Sequence, residues 1–120
     1  MKNYKVQRTP FVVPTEDGKL IEEHFGLASI EADLSLAHMI APPGWSEPFQ
    51  TPEFDEFTYI IKGRKKFNVD NEEVILNAGE SIKISKGTRV QYSNPFEEPC
   101  EYIAICRPPF QVDLANRDPF

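Results

Sequence analysis

The sequence predicts an all-β protein, built either as a sandwich of two sheets or as a small barrel. Three observations support this prediction. Short apolar stretches alternate with turn signals at intervals of about ten residues, which is typical of strands joined by tight turns. No stretch of the chain shows the 3.6-residue apolar period of an amphipathic helix. The 11 prolines are scattered along the 120 residues and would interrupt most helices.

Seven strands are predicted, and each ends at a turn signal. Glycine, proline, asparagine and aspartate mark these breaks, because each of them suits a turn for its own conformational reason. In chain order, the predicted strands are 34–41, 56–62, 64–69, 72–76, 81–84, 88–93 and 100–106. The tail that follows is rich in proline, so it does not form a central strand. Phe110, Leu114 and Phe120 are too apolar for a solvated end, and we expect them to pack either on this barrel or on a partner subunit.

The charge and the cysteines restrict the partners and the compartment. A net charge of −6 and a pI near 4.9 disfavour nucleic acid, where a basic surface supplies most of the affinity, and anionic membranes. No apolar run is long enough to span a bilayer, and the N-terminal segment does not have the pattern of a signal peptide. Cys100 and Cys106 lie about 20 Å apart along one predicted strand, too far for a disulfide. We therefore expect free thiols and a cytoplasmic protein.

Two glycine-initiated stretches, 44–63 and 79–94, have a specific spacing. In the first, "GWSEPFQTPEFDEFTYIIKG", five residues separate the opening glycine from Gln50, and Glu56 stands seven residues before the closing glycine. In the second, "GESIKISKGTRVQYSN", Val90 stands four residues before the final asparagine. Together they resemble the paired motifs of the cupin superfamily, over roughly residues 34–106. The resemblance implies a cupin-type double-stranded β-helix, that is, a jelly-roll barrel of two antiparallel sheets, and proteins of this type are commonly dimeric.

The same resemblance implies one domain over residues 1–120, with a core barrel at about 27–107 and a tail at 108–120. The string "FDEFTYIIKG" is also similar to a histidine-poor subgroup typified by the ethanolamine-utilisation cupin. That similarity leaves an acetate kinase activity open as a remote alternative, because the chain has no glycine-rich loop that could hold a phosphate.

The motifs depart from the family at the metal ligands. In metal-binding cupins they supply two histidines, a glutamate and a third histidine, and the corresponding residues here are Gln50, Pro52, Glu56 and Val90. Proline and valine offer no donor atom, and a glutamine amide is a poor ligand compared with imidazole. Because zinc needs three or four protein ligands, we predict no metal and no cofactor. A weak site for a hard cation, formed by Gln50, Glu53 and Glu56, stays open as an alternative.

Strand alternation predicts which side chains fill the barrel. Counting in steps of two from Glu56 adds Thr58, and counting from Val90 adds Tyr92. On the last strand Tyr102 and Cys106 share a face, while the face of His38 is not settled. Glu56 is the candidate general acid or base, with Tyr92 and His38 as further catalytic candidates. The predicted ligand-binding residues are Gln50, Thr58, Val90, Tyr102 and Cys106.

Charged residues near these strands are interpreted as solvent-facing. The basic run 62–66 is interpreted as a solvated strand whose charges discourage edge pairing. Glu47 and Glu53 are expected at the rim of the barrel, and Asp55 on the face opposite Glu56.

Two functions are compatible with these residues. The first is a metal-independent isomerase, epimerase or lyase that uses Glu56 for proton transfer. The second is a module that binds or senses a small metabolite without converting it, and a purely structural barrel is a weaker third. A second titratable group near Glu56 would favour the enzyme, and an outward-facing His38 would favour the binding module. In each case the expected partners are a small-molecule ligand and a second copy of the chain.

Overall fold

A computed structural model describes residues 3–119. Within this range the chain forms ten strands and one four-residue helix. The strands are β1 Phe11–Val12, β2 Leu20–Phe25, β3 Ser35–Ala41, β4 Trp45–Ser46, β5 Asp55–Lys62, β6 Arg64–Val69, β7 Glu72–Asn77, β8 Ser81–Ile84, β9 Val90–Asn94 and β10 Cys100–Arg107, and the helix is α1 Val112–Ala115. The all-β prediction is confirmed. No helix among the described residues is long and apolar enough to cross a membrane.

The strands form two antiparallel sheets. One has six strands in the order β1-β2-β3-β10-β5-β8, and the other has four in the order β4-β9-β6-β7. In the larger sheet β10 lies between β3 and β5, with Cys106 opposite both Ser35 and Glu56. This position explains the strict alternation of β10, in which every second residue from Cys100 to Cys106 is buried. Both cysteines are free thiols, as expected.

All seven predicted strands are present, with ends that differ by at most two residues from the prediction. Three strands were not predicted: β1, β2 and β4. β1 and β4 are only two residues long, too short for any periodicity. β2 reads "LIEEHF", and its buried position is a charged residue, Glu23. Because β2 has few apolar residues, its sequence did not indicate a strand with one face towards the interior.

The main core lies between the two sheets. Its buried members come from both sheets and include Ile60, Phe67, Leu76, Val90 and Trp45. The rings of Phe67 and Tyr92 meet edge to face at a centroid distance of 5.8 Å, a favoured aromatic arrangement. Tyr92, Tyr102 and Ala104 belong to this core and also border the cavity described below.

The tail packs on its own barrel, which was one of its two expected positions. The Phe110 ring lies 5.7 Å from the Phe54 ring, and the backbone N–H of Glu53 donates to the carbonyl of Leu114 at 2.8 Å. Ala115 is fully buried in this second cluster. The packing of Phe120 lies outside the described residues.

Gly63 forms the tight turn between β5 and β6, which packs closely against the backbone at Pro99. Its φ is +81°, and a Cβ added there would stand 2.4 Å from the backbone oxygen of Pro99. We expect Gly63→Ala to lower the free energy of unfolding by about 3 kcal/mol or more. The alanine would have to adopt a left-handed conformation, and the backbone at Pro99 would also have to move to make room for its Cβ. Chemical denaturation measures this loss.

Gly79→Ala is the matched control. Its φ is +86°, but no atom lies within 4 Å of the added Cβ, so only the conformational cost of about 1–2 kcal/mol applies. Equal losses in the two variants would show that the contact with Pro99 has no energetic weight.

Candidate functional site

A cavity of about 120 Å³ lies between the two sheets. Its apolar wall is formed by Ile21, Ala37, Met39 and Ala104. Its polar lining comes from β2, β3, β5, β6, β9 and β10, from the loops that carry Lys19, Glu47 and Gln50, and from the tail. This volume is similar to that of cavities that hold a benzene-sized molecule. Apolar walls with a few convergent polar groups are typical of a small-molecule site.

Glu56 is the central acid of the cavity. As the second residue of β5 it points inward, and its side chain is buried. Its Oε1 accepts a hydrogen bond from the Tyr92 hydroxyl at 2.9 Å, and the Cys106 thiol lies 3.9 Å from the same oxygen. Burial raises the pKa of Glu56 and outweighs the opposing effects of the Lys65 charge and the Tyr92 hydrogen bond. The direction agrees with the expectation for a desolvated carboxyl.

Lys65 was wrongly expected in solvent. It is only 2% exposed and lines the cavity. β6 lies between β9 and β7, so one face is turned inward, and the two-residue period that buries Phe67 also buries Lys65. Its Nζ lies 3.6 Å from the ring centroid of Tyr102, 4.8 Å from that of Tyr92 and 5.1 Å from that of Phe67. These three rings form a cage around the ammonium, which favours a cation by cation–π attraction.

Lys19 is a second buried cation that the sequence did not indicate. It precedes β2, and its Nζ lies 3.1 Å from Glu47 Oε1 and 4.4 Å from the Trp45 ring centroid. Burial opposes its charged form, but the interactions with Tyr102 and Glu47 outweigh this effect and raise its pKa. Glu47 lines the cavity instead of lying on the rim, because it pairs with Lys19 and with Arg117 at 3.7 Å.

Five of the predicted site residues line the cavity: Gln50, Glu56, Tyr92, Tyr102 and Cys106. Thr58 and Val90 are buried but do not line it, which corrects the prediction. Thr58 lies one step further along β5, opposite Ala104 and Ile82. Val90 belongs to the main core, and its backbone exchanges hydrogen bonds of 2.8 and 2.9 Å with Gln50. The predicted faces were right, but both residues lie outside the space that the cavity occupies.

His38 does not face the cavity, which is a further correction. On β3 the residues Ala37 and Met39 point into the cavity, so alternation turns His38 to the outer face of the sheet. There its Nδ1 lies 2.8 Å from Glu22 Oε1 and its Nε2 lies 2.6 Å from Glu101 Oε2. Partial burial lowers the pKa of His38, but hydrogen bonds with Glu101 and Glu22 more than compensate and raise it.

The thiol and the phenol beside Glu56 are held in their protonated forms. Burial raises the pKa of Cys106, and the nearby Glu56 raises it further. Burial also raises the pKa of Tyr92 well above its usual value, with a further contribution from Glu56. A thiolate is the nucleophilic form of cysteine, so this environment is unsuited to a Cys106 nucleophile.

The residues at the family's ligand positions do not fit a transition metal. Gln50 uses its Oε1 to accept from Arg117 Nε at 3.2 Å, while Pro52 and Val90 present only carbon. Within residues 3–119, no group of three or more His, Cys, Asp or Glu side chains is placed to hold a metal ion. Glu53 does not line the cavity, and its Oε2 accepts from Asn116 instead. The alternative site for a hard cation is therefore not assembled.

We expect the purified protein to contain no stoichiometric transition metal, because only Glu56 keeps a ligand side chain of the family motif. Elemental analysis of untagged protein measures this. About one zinc, iron, nickel or manganese per chain that resists mild chelation would contradict the expectation.

Residues 37–106 match the family model described as a cupin domain. The chain therefore belongs to the cupin family, in agreement with the resemblance of its two motifs. Among curated proteins it is similar to the endoribonuclease YbeY of Myxococcus xanthus (strain DK1622), at 41% identity over 108 residues. The match covers 89% of this chain but only 37% of that relative, so the chain spans little more than a third of its length.

Two solved structures show the same fold at low sequence identity. Streptomyces PAC13, solved as a variant with uridine, has a TM-score of 0.76 and 15% identity over 100% of this chain and 93% of its own. The EutQ protein of Clostridium difficile has a TM-score of 0.61 and 24% identity over 78% of this chain and 66% of its own.

Proposed function

We propose that the chain binds a small organic metabolite in its barrel and acts on it by proton transfer, as a metal-independent isomerase, epimerase or lyase. Glu56 is the general acid or base. The observation that carries this proposal is a buried carboxyl that borders a cavity and has a raised pKa. Such a shift brings the pKa of the carboxyl closer to neutral pH, where the group can both take up and release a proton efficiently.

The cations of the cavity fit the same chemistry. When Glu56 takes a proton from a carbon next to a carbonyl group, the electron pair of the C–H bond moves onto the carbonyl oxygen. The Lys65 ammonium, fixed by its aromatic cage, stabilises the negative charge that develops there. Return of the proton from Glu56 to a neighbouring carbon gives an isomer, and departure of a leaving group with its electron pair from the adjacent carbon gives an elimination product. An epimer forms only when the intermediate turns over in the cavity, so that Glu56 returns the proton to the opposite face.

Tyr92 acts as a positioning residue in this scheme. Its hydroxyl donates to Glu56, and its pKa is raised well above the usual value. It therefore keeps its proton and holds the carboxyl in one orientation. His38, the other candidate acid or base, does not reach the cavity.

A non-catalytic binding module is the second candidate. The observation that favours it is the outward position of His38, which leaves Glu56 with partners that keep their protons, Tyr92 and Cys106. In this alternative a protonated Glu56 donates a hydrogen bond to a ligand that stays unchanged.

One experiment separates the two candidates. A metabolite screen by denaturation midpoint identifies ligands, since a compound at 100 times its Kd adds about 2.7 kcal/mol. Each ligand is then incubated with the protein in D₂O and followed by NMR. Conversion or deuterium incorporation at carbon supports the enzyme. Stabilisation without any exchange, for every ligand found, contradicts it and supports the binding module.

An endoribonuclease activity is not part of this proposal. The Myxococcus relative carries that name as a protein of which this chain spans 37%. A net charge of −6 also disfavours a polyanion such as RNA.

We further propose that the protein is a cytoplasmic homodimer. Its thiols are free and buried, which suits a reducing compartment. Phe11 and Val12 on the edge strand β1, and Tyr59 and Ile61 on β5, are large exposed apolar side chains that a second copy would cover. Light scattering that returns a monomer mass across micromolar concentrations would contradict the dimer.

A further inference from the structure

Lys65 carries a buried charge without a counter-ion in contact. Its Nζ makes no hydrogen bond or ion pair with any residue of 3–119, and its close neighbours are ring faces. The other cations of the cavity differ in this respect: Lys19 pairs with Glu47, and Arg117 contacts Gln50 and Glu47. The charge of Lys65 acts to lower the pKa of Glu56, but the two side chains make no hydrogen bond or ion pair. Because a buried charge without a partner in contact is costly, Lys65 is suited to receive a negative group from outside the chain.

The Tyr102 hydroxyl is a second unused donor at the same place. Tyr102 is completely buried and lines the cavity. Its oxygen interacts with Lys19 and helps to raise the pKa of that lysine, but it makes no hydrogen bond of normal geometry with the described residues, so its own proton has no acceptor there. The Lys65 ammonium lies over one side of its ring, and the Lys19 ammonium lies 5.8 Å from the ring centroid. Native proteins rarely leave a buried hydroxyl unpaired, and a ligand oxygen would satisfy it.

The acids of the cavity, in contrast, are already engaged. Glu23 accepts from the Ala28 N–H at 2.9 Å and from the Ser29 hydroxyl at 2.8 Å. Glu47 is paired with Lys19, and Glu56 accepts from Tyr92. The groups left for a ligand are therefore donors, one of them positively charged. Their complement is an acceptor with negative charge.

We propose that the ligand is a small organic carboxylate whose oxygens bind the Lys65 ammonium and the Tyr102 hydroxyl. Its hydrocarbon part contacts the apolar wall of Ile21, Ala37 and Met39. The buried lysine thus supplies the fixed positive charge in a barrel whose motif has lost its metal ligands. The inference rests on the proposed function only in placing the ligand in the same cavity.

The test compares charged and neutral probes of equal shape. The probes are acetate, propionate, butyrate and benzoate, each with its amide, titrated into the protein by calorimetry and by NMR at matched ionic strength. We expect at least one carboxylate to bind about tenfold or more tightly than its amide, since a charge-assisted contact is lost in the amide. Equal binding of acids and amides, or no binding of any carboxylate, would overturn the proposal.

Variants assign the binding to the two donors. Lys65→Met removes the charge and keeps a chain that suits an aromatic cage, and it should weaken carboxylate binding about tenfold or more. Tyr102→Phe removes only the hydroxyl and should weaken it severalfold, which keeps the site testable if the lysine variant does not fold. Lys66→Met is the control, because Lys66 is the neighbour on β6 that pairs with Glu73 outside the cavity. Unchanged binding in both Lys65→Met and Tyr102→Phe would contradict the assignment.

The outcomes also separate this inference from the catalytic proposal. Carboxylates that bind through Lys65 but undergo no exchange at carbon would support the ligand class and contradict the acid–base function. Conversion of uncharged compounds that depends on Glu56, with no affinity for carboxylates, would support the acid–base function and contradict the ligand class.

Discussion

Glu56→Gln should reduce turnover by about 10²–10⁴-fold and leave ligand binding largely intact. The amide keeps the shape of the side chain and still accepts from Tyr92, but it cannot take up or release a proton at neutral pH. The comparison uses the rate of conversion or exchange of a ligand found in the screen, together with its Kd. If binding falls and no turnover exists to lose, the binding module is the better description.

The same variant should change how stability depends on pH. The pKa of Glu56 in the folded state is raised above its usual 4.5, so the folded state holds a proton that the unfolded state releases. Between pH 4.5 and the raised pKa, the wild-type free energy of unfolding therefore falls as pH rises, and the loss is complete above the raised pKa. Glu56→Gln lacks this contribution and should gain stability relative to wild type across that window.

Asp55→Asn is the control for this measurement. Asp55 is the preceding residue on β5, it accepts from the backbone N–H of Lys86, and this hydrogen bond is the main cause that lowers its pKa. Its stabilising contribution is complete above its usual pKa of 3.8, so the slope above pH 4.5 should stay as in wild type. A wild-type slope in Glu56→Gln, or failure of that variant to fold, would show that Glu56 does not titrate in the way its burial indicates.

Deleting residues 108–120 should lower the free energy of unfolding by about 3–5 kcal/mol. The deletion removes Phe110 and Leu114 from their contacts and exposes Phe54, and burial of one large apolar side chain is worth about 1.5–3 kcal/mol. This is a large share of the 5–15 kcal/mol that is typical of a domain. Chemical denaturation of the full and shortened chains measures the difference.

Two observations would accompany this loss. Val112→Ala is a control in the same segment, and it should change stability by less than about 0.5 kcal/mol, because Val112 is 70% exposed. If the protein is the proposed dimer, the shortened chain should still return the mass of two subunits, since the tail contacts its own barrel. A shortened chain of wild-type stability that becomes monomeric would instead place the tail on the partner.

Alternation along strands explains most of what the sequence could reveal about the site. It turned Glu56, Tyr92, Tyr102 and Cys106 inward, because a two-residue period assigns the face of every residue once one is known. Alternation could not predict which of the inward-facing residues line the cavity, since the period contains no information on where along the barrel the cavity ends. Thr58 is therefore on the right face but outside the cavity.

Lys65 was missed for a different reason. The two-residue period that places Phe67 and Val69 on one face places Lys65 on the same face, yet the usual exposure of lysine was given more weight than the period. Lys19 and Glu23 gave no such signal, because the strand that carries Glu23 has few apolar residues. The side of the sheet on which His38 lies could not be predicted, because it is set by how β3 is placed between its neighbouring strands, and a local sequence pattern does not give that placement.

Trp45 gives the protein a built-in optical reporter of its cavity. It is the only tryptophan in the chain, its indole N–H donates to Asp17 at 2.7 Å, and the ammonium of the cavity residue Lys19 lies over its ring. A charge held that close to an indole shifts its emission, so any ligand that displaces Lys19 or alters its pairing with Glu47 changes the fluorescence of the unlabelled protein.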